Sequence, residues 1–219
     1  MDRTTFQTRL GHGGVLLVVR LDSSTHLDAV AATASESGVD LLEVTSNTPG
    51  ALPWIESNVG RHPPLDIGVG TVVDVESAAA AVSAGAAFLV APNVDPDVLE
   101  KAAEQDVACM PGALTPTEVL ASHRLGAAAT KLFPVTQLGP GYLEDLRGPL
   151  PDVPLVPIGG IDESNAGAYI GAGASGVGVG AAFVNPLSVA AKDWGTLGRR
   201  LREVVRAVAD ARSQLNVGS

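Results

Sequence analysis

Eight short aliphatic runs recur along the chain, at 15–19, 39–44, 65–69, 88–91, 107–110, 128–132, 155–158 and 176–179. They show no clean alternation of apolar and polar residues, which is the pattern of strands buried on both faces of a parallel sheet. Segments with helical character lie between them, at 25–37, 49–59, 75–84, 116–124, 141–146 and 162–170. One more opens at Asp95-Pro96, where an acidic cap precedes a proline at the first helical position. Thr115-Pro116-Thr117-Glu118 is a capping box with a proline inside it. A short helix over 5–11 leads the chain, and Leu197, Leu201, Val204, Val205 and Val208 form the apolar stripe of a last helix. Gly38, Gly85, Gly126 and Gly173 each divide a helix from a strand, at intervals of 47, 41 and 47 residues. Each interval holds about two strand–helix units. Eight pairs in this length predict one α/β domain over residues 1–219, a (β/α)8 TIM barrel with a short N-terminal helix, rather than a doubly wound sheet.

Composition narrows the function classes. The 219 residues are 46% hydrophobic but only 4% aromatic, which suits short buried strands and small-residue helices. A net charge of −10 leaves no basic stripe to grip nucleic acid or an anionic membrane. A single cysteine, Cys109, excludes an internal disulfide, and no Cys/His cluster has zinc spacing. The four histidines (His12, His26, His62, His123) fall in helices or loops and read as surface. No run is apolar enough to span a bilayer and residues 1–10 do not read as a signal peptide, so a cytoplasmic enzyme or binding protein is expected.

The candidate chemistry centres on one lysine. The chain has three: Lys101 and Lys192 sit among polar residues, whereas Lys131 interrupts the apolar run at 127–134. An ammonium there costs free energy unless it is paired or neutral, and a neutral lysine can attack a carbonyl to form a Schiff base. The alternative is a lysine at a strand end that snorkels into solvent. Glu43 lies within the aliphatic Leu41-Leu42-Glu43-Val44, where an unpaired carboxylate is expensive to bury. It is the partner that Schiff-base chemistry needs for moving protons, unless the two form a plain buried ion pair.

Barrel enzymes build their sites at the C-terminal ends of the strands, and other polar residues fall there. Arg20 and Thr71 could hold a substrate carboxylate by charge and hydroxyl donation, although Arg20 fits equally well as an exposed residue opening a loop. Pro92 and Phe133-Pro134 would shape an apolar wall. Gly159-Gly160 and Gly178-Val179-Gly180 end the last two strands, where backbone N–H groups can face a phosphate; tight turns alone are the alternative.

Taken together, Leu42-Glu43-Val44-Thr45, Gly68-Val69-Gly70-Thr71-Val72, Ala91-Pro92-Asn93, Met110-Pro111-Gly112, Thr115-Pro116-Thr117-Glu118, Lys131-Leu132-Phe133-Pro134 and Pro157-Ile158-Gly159-Gly160-Ile161 resemble a known family in order and spacing. It is the class I 2-keto-3-deoxy-6-phosphogluconate (KDPG) / 4-hydroxy-2-oxoglutarate (KHG) aldolase family, and the resemblance covers nearly the whole chain. It implies a homotrimeric barrel without metal or other cofactor that splits a 2-keto-3-deoxy-6-phospho sugar acid, of the phosphogluconate or phosphogalactonate type, into pyruvate and glyceraldehyde 3-phosphate. It also implies roles: Lys131 as the Schiff-base lysine, Glu43 as general acid/base, Thr71 as a carboxylate contact, Pro92 beside the reacting carbons, and Gly159, Gly160 and Gly180 at a phosphate. Two positions depart from the pattern. Asn47 stands where many members carry a carboxylate-binding arginine, which Arg20 would replace. Together with Pro92-Asn93 and Leu138-Gly139-Pro140, Asn47 is similar to the branch acting on 2-keto-3-deoxy-6-phosphogalactonate. Ala181 stands where several members have a phosphate-binding serine, which opens the alternative of an unphosphorylated substrate such as 4-hydroxy-2-oxoglutarate. A catalytically silent phosphometabolite-binding barrel is the remaining alternative.

Overall fold

In the computed structural model, which describes residues 1–217, each aliphatic run holds a strand whose ends lie within two residues of those of the run. Six parallel strands, β1 (Val15–Val19), β2 (Leu41–Thr45), β3 (Asp66–Gly70), β4 (Phe88–Val90), β5 (Ala108–Met110) and β9 (Val177–Val179), form one sheet in the order β5-β4-β3-β2-β1-β9. Three more, β6 (Gly112–Ala113), β7 (Thr130–Leu132) and β8 (Leu155–Pro157), form a second parallel sheet in that order. The sheets meet at two places. An isolated parallel bridge pairs Ile158, just after β8, with Gly178 of β9. Only Pro111 separates β5 from β6. The architecture is a curled parallel sheet flanked by helices. It corrects the predicted count of eight strands to nine, because the run near residue 110 is split at Pro111, which has no N–H for the ladder. Gly112 fits there because a Cβ would stand 2.2 Å from the Pro92 carbonyl oxygen.

The helices are α1 (Arg3–His12), α2 (Leu27–Glu36), α3 (Ala51–Asn58), α4 (Val75–Ser83), α5 (Pro96–Glu104), α6 (Pro116–Arg124), α7 (Gly139–Arg147), α8 (Ala166–Gly171), α9 (Pro186–Ala190) and α10 (Trp194–Val217). The repeated glycines have a common physical cause. Gly38, Gly85, Gly126 and Gly173 have φ of 81°, 82°, 85° and 96°. In each case the next amide bonds back five residues, as Val39 does to Ala34 and Ala174 to Tyr169. This is the Schellman ending, whose left-handed residue favours glycine. A fifth copy ends α5 with Asp106 at φ 52° and Val107 bonding to Ala102. Two expectations change. Asp162 does not cap α8; its carboxylate takes the Ser164 N–H at 2.9 Å, and Asn165 precedes the helix. Helix α9 was missed because five residues are too few to show a period.

Successive strand residues face opposite sides, and two apolar layers follow. Leu17, Leu42, Val69 and Leu89 pack against helix residues such as Val30, Ile55 and Ala81. Leu16, Leu41, Phe88, Met110, Ala129 and Val156 gather on the other face, together with Phe6 and Leu10 of α1. The Phe6 and Phe88 rings lie 5.2 Å apart, and the Gln7 amide donates to the Ala128 carbonyl at 2.8 Å. Helix α1 therefore closes the N-terminal end of this inner layer and leaves the C-terminal end for chemistry.

Candidate active site

Glu43 is two residues beyond Leu41 and Lys131 two beyond Ala129, so both face the inner side one step nearer the C-terminal strand ends. Their charged atoms, Lys131 Nζ and Glu43 Oε1, are 3.8 Å apart, with side chains 9% and 1% exposed. Opposite charges at this distance attract by about 4 kcal/mol at an effective dielectric near 20. Taking a carboxylate out of water costs several kcal/mol. Burial dominates here and pushes the Glu43 carboxyl above its ordinary range, against the charges of Lys131 and Arg20 that pull it down. Its second oxygen, Oε2, is buried without a hydrogen-bond partner among the described residues. The carboxyl also needs space, which Gly70 provides: a Cβ on Gly70 would sit 1.9 Å from Glu43 Oε1.

Beside the pair, Thr71 follows β3 with φ at 60°, an uncommon conformation for a β-branched residue. Its surroundings hold it there. The Thr71 carbonyl accepts from Ser46 Oγ at 3.0 Å, and its hydroxyl accepts from Arg20 Nη2 at 3.2 Å. On either side, Ser46 N–H bonds to Gly70 O and Val72 N–H to Val90 O. Strain maintained in this way marks functional sites, and here it sets a hydroxyl beside a guanidinium, the arrangement a carboxylate needs.

A cavity of about 790 Å³ opens above the pair, large enough for a small substrate. Arg20, Thr71, Pro92, Lys131 and Phe133 line one part of it, and Gly159, Gly160, Gly180 and Ala181 another. Lys131 Nζ lies 4.9 Å from the Phe133 ring centroid, within reach of a cation–π contact. Glu43 sits buried against Lys131. Asn47 is not brought to the cavity; it is exposed in the turn after β2. Sequence reasoning did not find Thr136, Ile158, Ile161, Ala182 or Asn185, which also line the cavity. Ile161 and Ala182 follow the glycine turns and could have been found by extending each turn by one or two residues. Thr136, next to a cis Phe133-Pro134 bond, has no sequence signature. The histidine expectation changes in part: Nδ1 of His123 and Nε2 of His62 are buried.

A buried lysine and glutamate under a cavity at the C-terminal ends of parallel strands fit a class of lyase, the class I aldolases, which work through a Schiff base. The profile of KDPG and KHG aldolases matches residues 6–200, and the chain belongs to that family. It is 32% identical over 200 residues to a 2-dehydro-3-deoxy-phosphogluconate aldolase of Pseudomonas aeruginosa, covering 90% of each chain. It is 31% identical over 180 residues to a 2-dehydro-3-deoxy-6-phosphogalactonate aldolase of Escherichia coli, covering 80% of this chain and 85% of that one. Among solved structures, the 2-keto-3-deoxy-6-phosphogluconate aldolase of Zymomonas mobilis with 3-phosphoglycerate superposes with a TM-score of 0.81 at 25% identity, over 93% of this chain and 96% of the other.

Proposed function

We propose that this chain cleaves a 2-keto-3-deoxy-6-phospho sugar acid, of the gluconate or galactonate type, to pyruvate and glyceraldehyde 3-phosphate. The observation that carries the reading is the buried Lys131–Glu43 pair at 3.8 Å beneath the cavity. Neutral Lys131 adds to the C2 ketone, and the carbinolamine loses water to give an iminium. The substrate C4 hydroxyl gives up its proton as the C3–C4 bond breaks. The bonding electrons pass into the iminium and leave an enamine of pyruvate, with glyceraldehyde 3-phosphate released. Protonation at C3 and addition of water return pyruvate and free Lys131. Glu43 carries these protons. Its upward displacement suits the role, because a carboxyl that is not firmly ionised can both give and accept a proton. The iminium is itself the electron sink, so the reaction calls for no metal or organic cofactor. Arg20 and Thr71 hold the carboxylate, with Arg20 in place of an arginine at Asn47. Pro92 and Phe133 wall the reacting carbons, and Gly159, Gly160, Gly180 and Ala181 surround the phosphate.

The same proposal covers the whole molecule. Counting β5 and β6 as one strand bent at Pro111, and closing the sheet through Ile158 and Gly178, gives a (β/α)8 barrel in a single aldolase domain. The chain works as a homotrimer in the cytoplasm, and no described helix is long and apolar enough to cross a membrane. A second reading, favoured by the missing hydroxyl at Ala181, is a 4-hydroxy-2-oxoglutarate aldolase giving pyruvate and glyoxylate. The test is borohydride reduction in the presence of pyruvate, read by intact mass and peptide mapping. One reduced adduct on Lys131, absent from Lys131→Ala, is expected. No adduct on folded protein would remove the Schiff base.

A further inference from the structure

We infer that Asn165 and Asn185 are positioning residues that turn two backbone N–H groups, those of Ile161 and Ala182, into the cavity as donors to the substrate phosphate. The inference rests on the phosphorylated-substrate reading above. Asn165 Nδ2 donates to the Gly160 carbonyl at 2.9 Å, and Asn185 Nδ2 donates to the Ala181 carbonyl at 3.0 Å. In a trans peptide the carbonyl and the following N–H point in opposite directions. Fixing the Gly160 carbonyl toward Asn165 therefore aims the Ile161 N–H away from it, and Asn185 does the same for Ala182. Gly160, Ile161, Ala181 and Ala182 all line the cavity.

Three neighbouring amides of these two turns are engaged within the protein, whereas those of Gly159, Gly160 and Ala181 also have no acceptor among the described residues. Asp162 N–H bonds to Asn165 Oδ1 at 3.0 Å, and the Phe183 and Val184 N–H groups bond to Gly180 O at 2.8 and 3.1 Å. The amides of Ile161 and Ala182 have no acceptor among the described residues. The Ile161 amide belongs to a buried residue at the cavity wall and calls for a partner, while that of the exposed Ala182 is open to solvent and free to take one. Both asparagines act through the two ends of one side chain. Asn165 Oδ1 accepts from Asp162, and Asn185 Oδ1 accepts from Leu187 and Ser188, each at 3.1 Å. A carboxylate could accept these bonds but could not donate the opposite one.

Arg200 of α10 sets the spacing between the two turns. It grips Glu163 of the first with two bonds of 2.9 and 3.0 Å, donates to the Ala182 carbonyl of the second at 2.6 Å, and lies 4.2 Å from the Phe183 ring centroid. The two amides are thereby held in place before any ligand arrives, and preorganisation of this kind gives backbone donors their value toward an anion. Because Ala181 brings no hydroxyl, the phosphate contact falls to backbone amides of these turns, and the asparagines fix the orientation of two of them.

The test uses Asn165→Ser and Asn185→Ser. Serine at 185 can still cap α9 but cannot reach the Ala181 carbonyl. For each variant and the parent, kcat/KM is measured with the phosphorylated keto acid and with the same keto acid lacking phosphate, and the ratio gives the phosphate preference. Each substitution is expected to lower that preference about tenfold or more, since one hydrogen bond to a charged group is at stake. A parent with no preference would overturn the phosphate reading and the inference with it. A parent with a clear preference that stays within about twofold in folded variants would overturn the positioning role alone. The asparagines lie in separate loops, so either variant decides the question if the other does not fold.

Discussion

Gly70→Ala tests whether the active-site carboxyl is placed by an absence of side chain. A methyl on Gly70 would lie 1.9 Å from Glu43 Oε1, 2.4 Å from Cδ and 2.5 Å from Cγ, where ordinary contact begins at 3.4 Å. The end of the glutamate must therefore move by roughly 1.5 Å to restore van der Waals contact. It has little freedom to do so, since Glu43 is 1% exposed and its neighbours on β2 are buried. Misplacing a catalytic group by about 1 Å costs about a hundredfold in rate. An added methyl in a packed interior costs about 1–3 kcal/mol in stability. The prediction is a fall of about a hundredfold in kcat for pyruvate release in a coupled assay, with a protein that still melts cooperatively. Glu43→Asp on that background shortens the offending side chain, so the double variant should be more active than the product of the two single effects. A folded Gly70→Ala enzyme with the parent's kcat would refute the idea that this glycine sets the carboxyl.

Three further outcomes follow from particular groups. Glu43 is raised above its ordinary value of 4.5, so the folded state holds that proton more tightly than the unfolded chain does. The parent should lose stability relative to Glu43→Gln as pH rises from 4.5 to the raised folded value, and the difference should stay constant above it; melting temperatures across pH would show the parent falling relative to the variant, and a parent that gains on it would contradict the reasoning. Asp106→Gly at the φ 52° ending of α5 should stabilise by about 0.5–1 kcal/mol, seen as a higher denaturant midpoint at unchanged slope. Arg212 donates to the carbonyls of Leu10, Gly11, His12 and Ser175 at 2.5 to 2.9 Å, tying α10 to the end of α1. Arg212→Ala should cost about 2–4 kcal/mol in a urea titration.

Much of this molecule was legible because its signals are local and one-dimensional. The aliphatic runs located the strands, and the glycines at 38, 85, 126 and 173 marked Schellman endings that only a left-handed residue completes. A lysine and a glutamate inside apolar runs were visible because burying charge is costly, and the structure places them 3.8 Å apart. The division at Pro111 was harder to read, since a proline after an aliphatic run looks the same whether the strand stops or merely skips one bond. Helix α9 gave only an Asn185-Pro186 start, and Asn185 drew no attention because its role depends on a carbonyl four residues earlier whose orientation no sequence pattern records.

The glycines of the inner face show why such features escape a pattern search. A Cβ at Gly68 would meet the Phe88 ring at 2.5 Å, one at Gly70 the Glu43 carboxyl at 1.9 Å, and one at Gly178 the Ile158 side chain at 2.5 Å. Each small residue is paired with a large or charged one on a neighbouring strand or just beyond it. With aromatics at only 4%, the curled sheet fills its interior by such pairs. Two of them, Gly70 with Glu43 and Gly178 with Ile158, lie at the level of the cavity floor. In sequence, Gly68 and Gly70 read as weak points in a strand. In the structure they are the space into which the reacting carboxyl and its packing neighbours fit, so position along the chain and position in the site become linked only once the strand register is known.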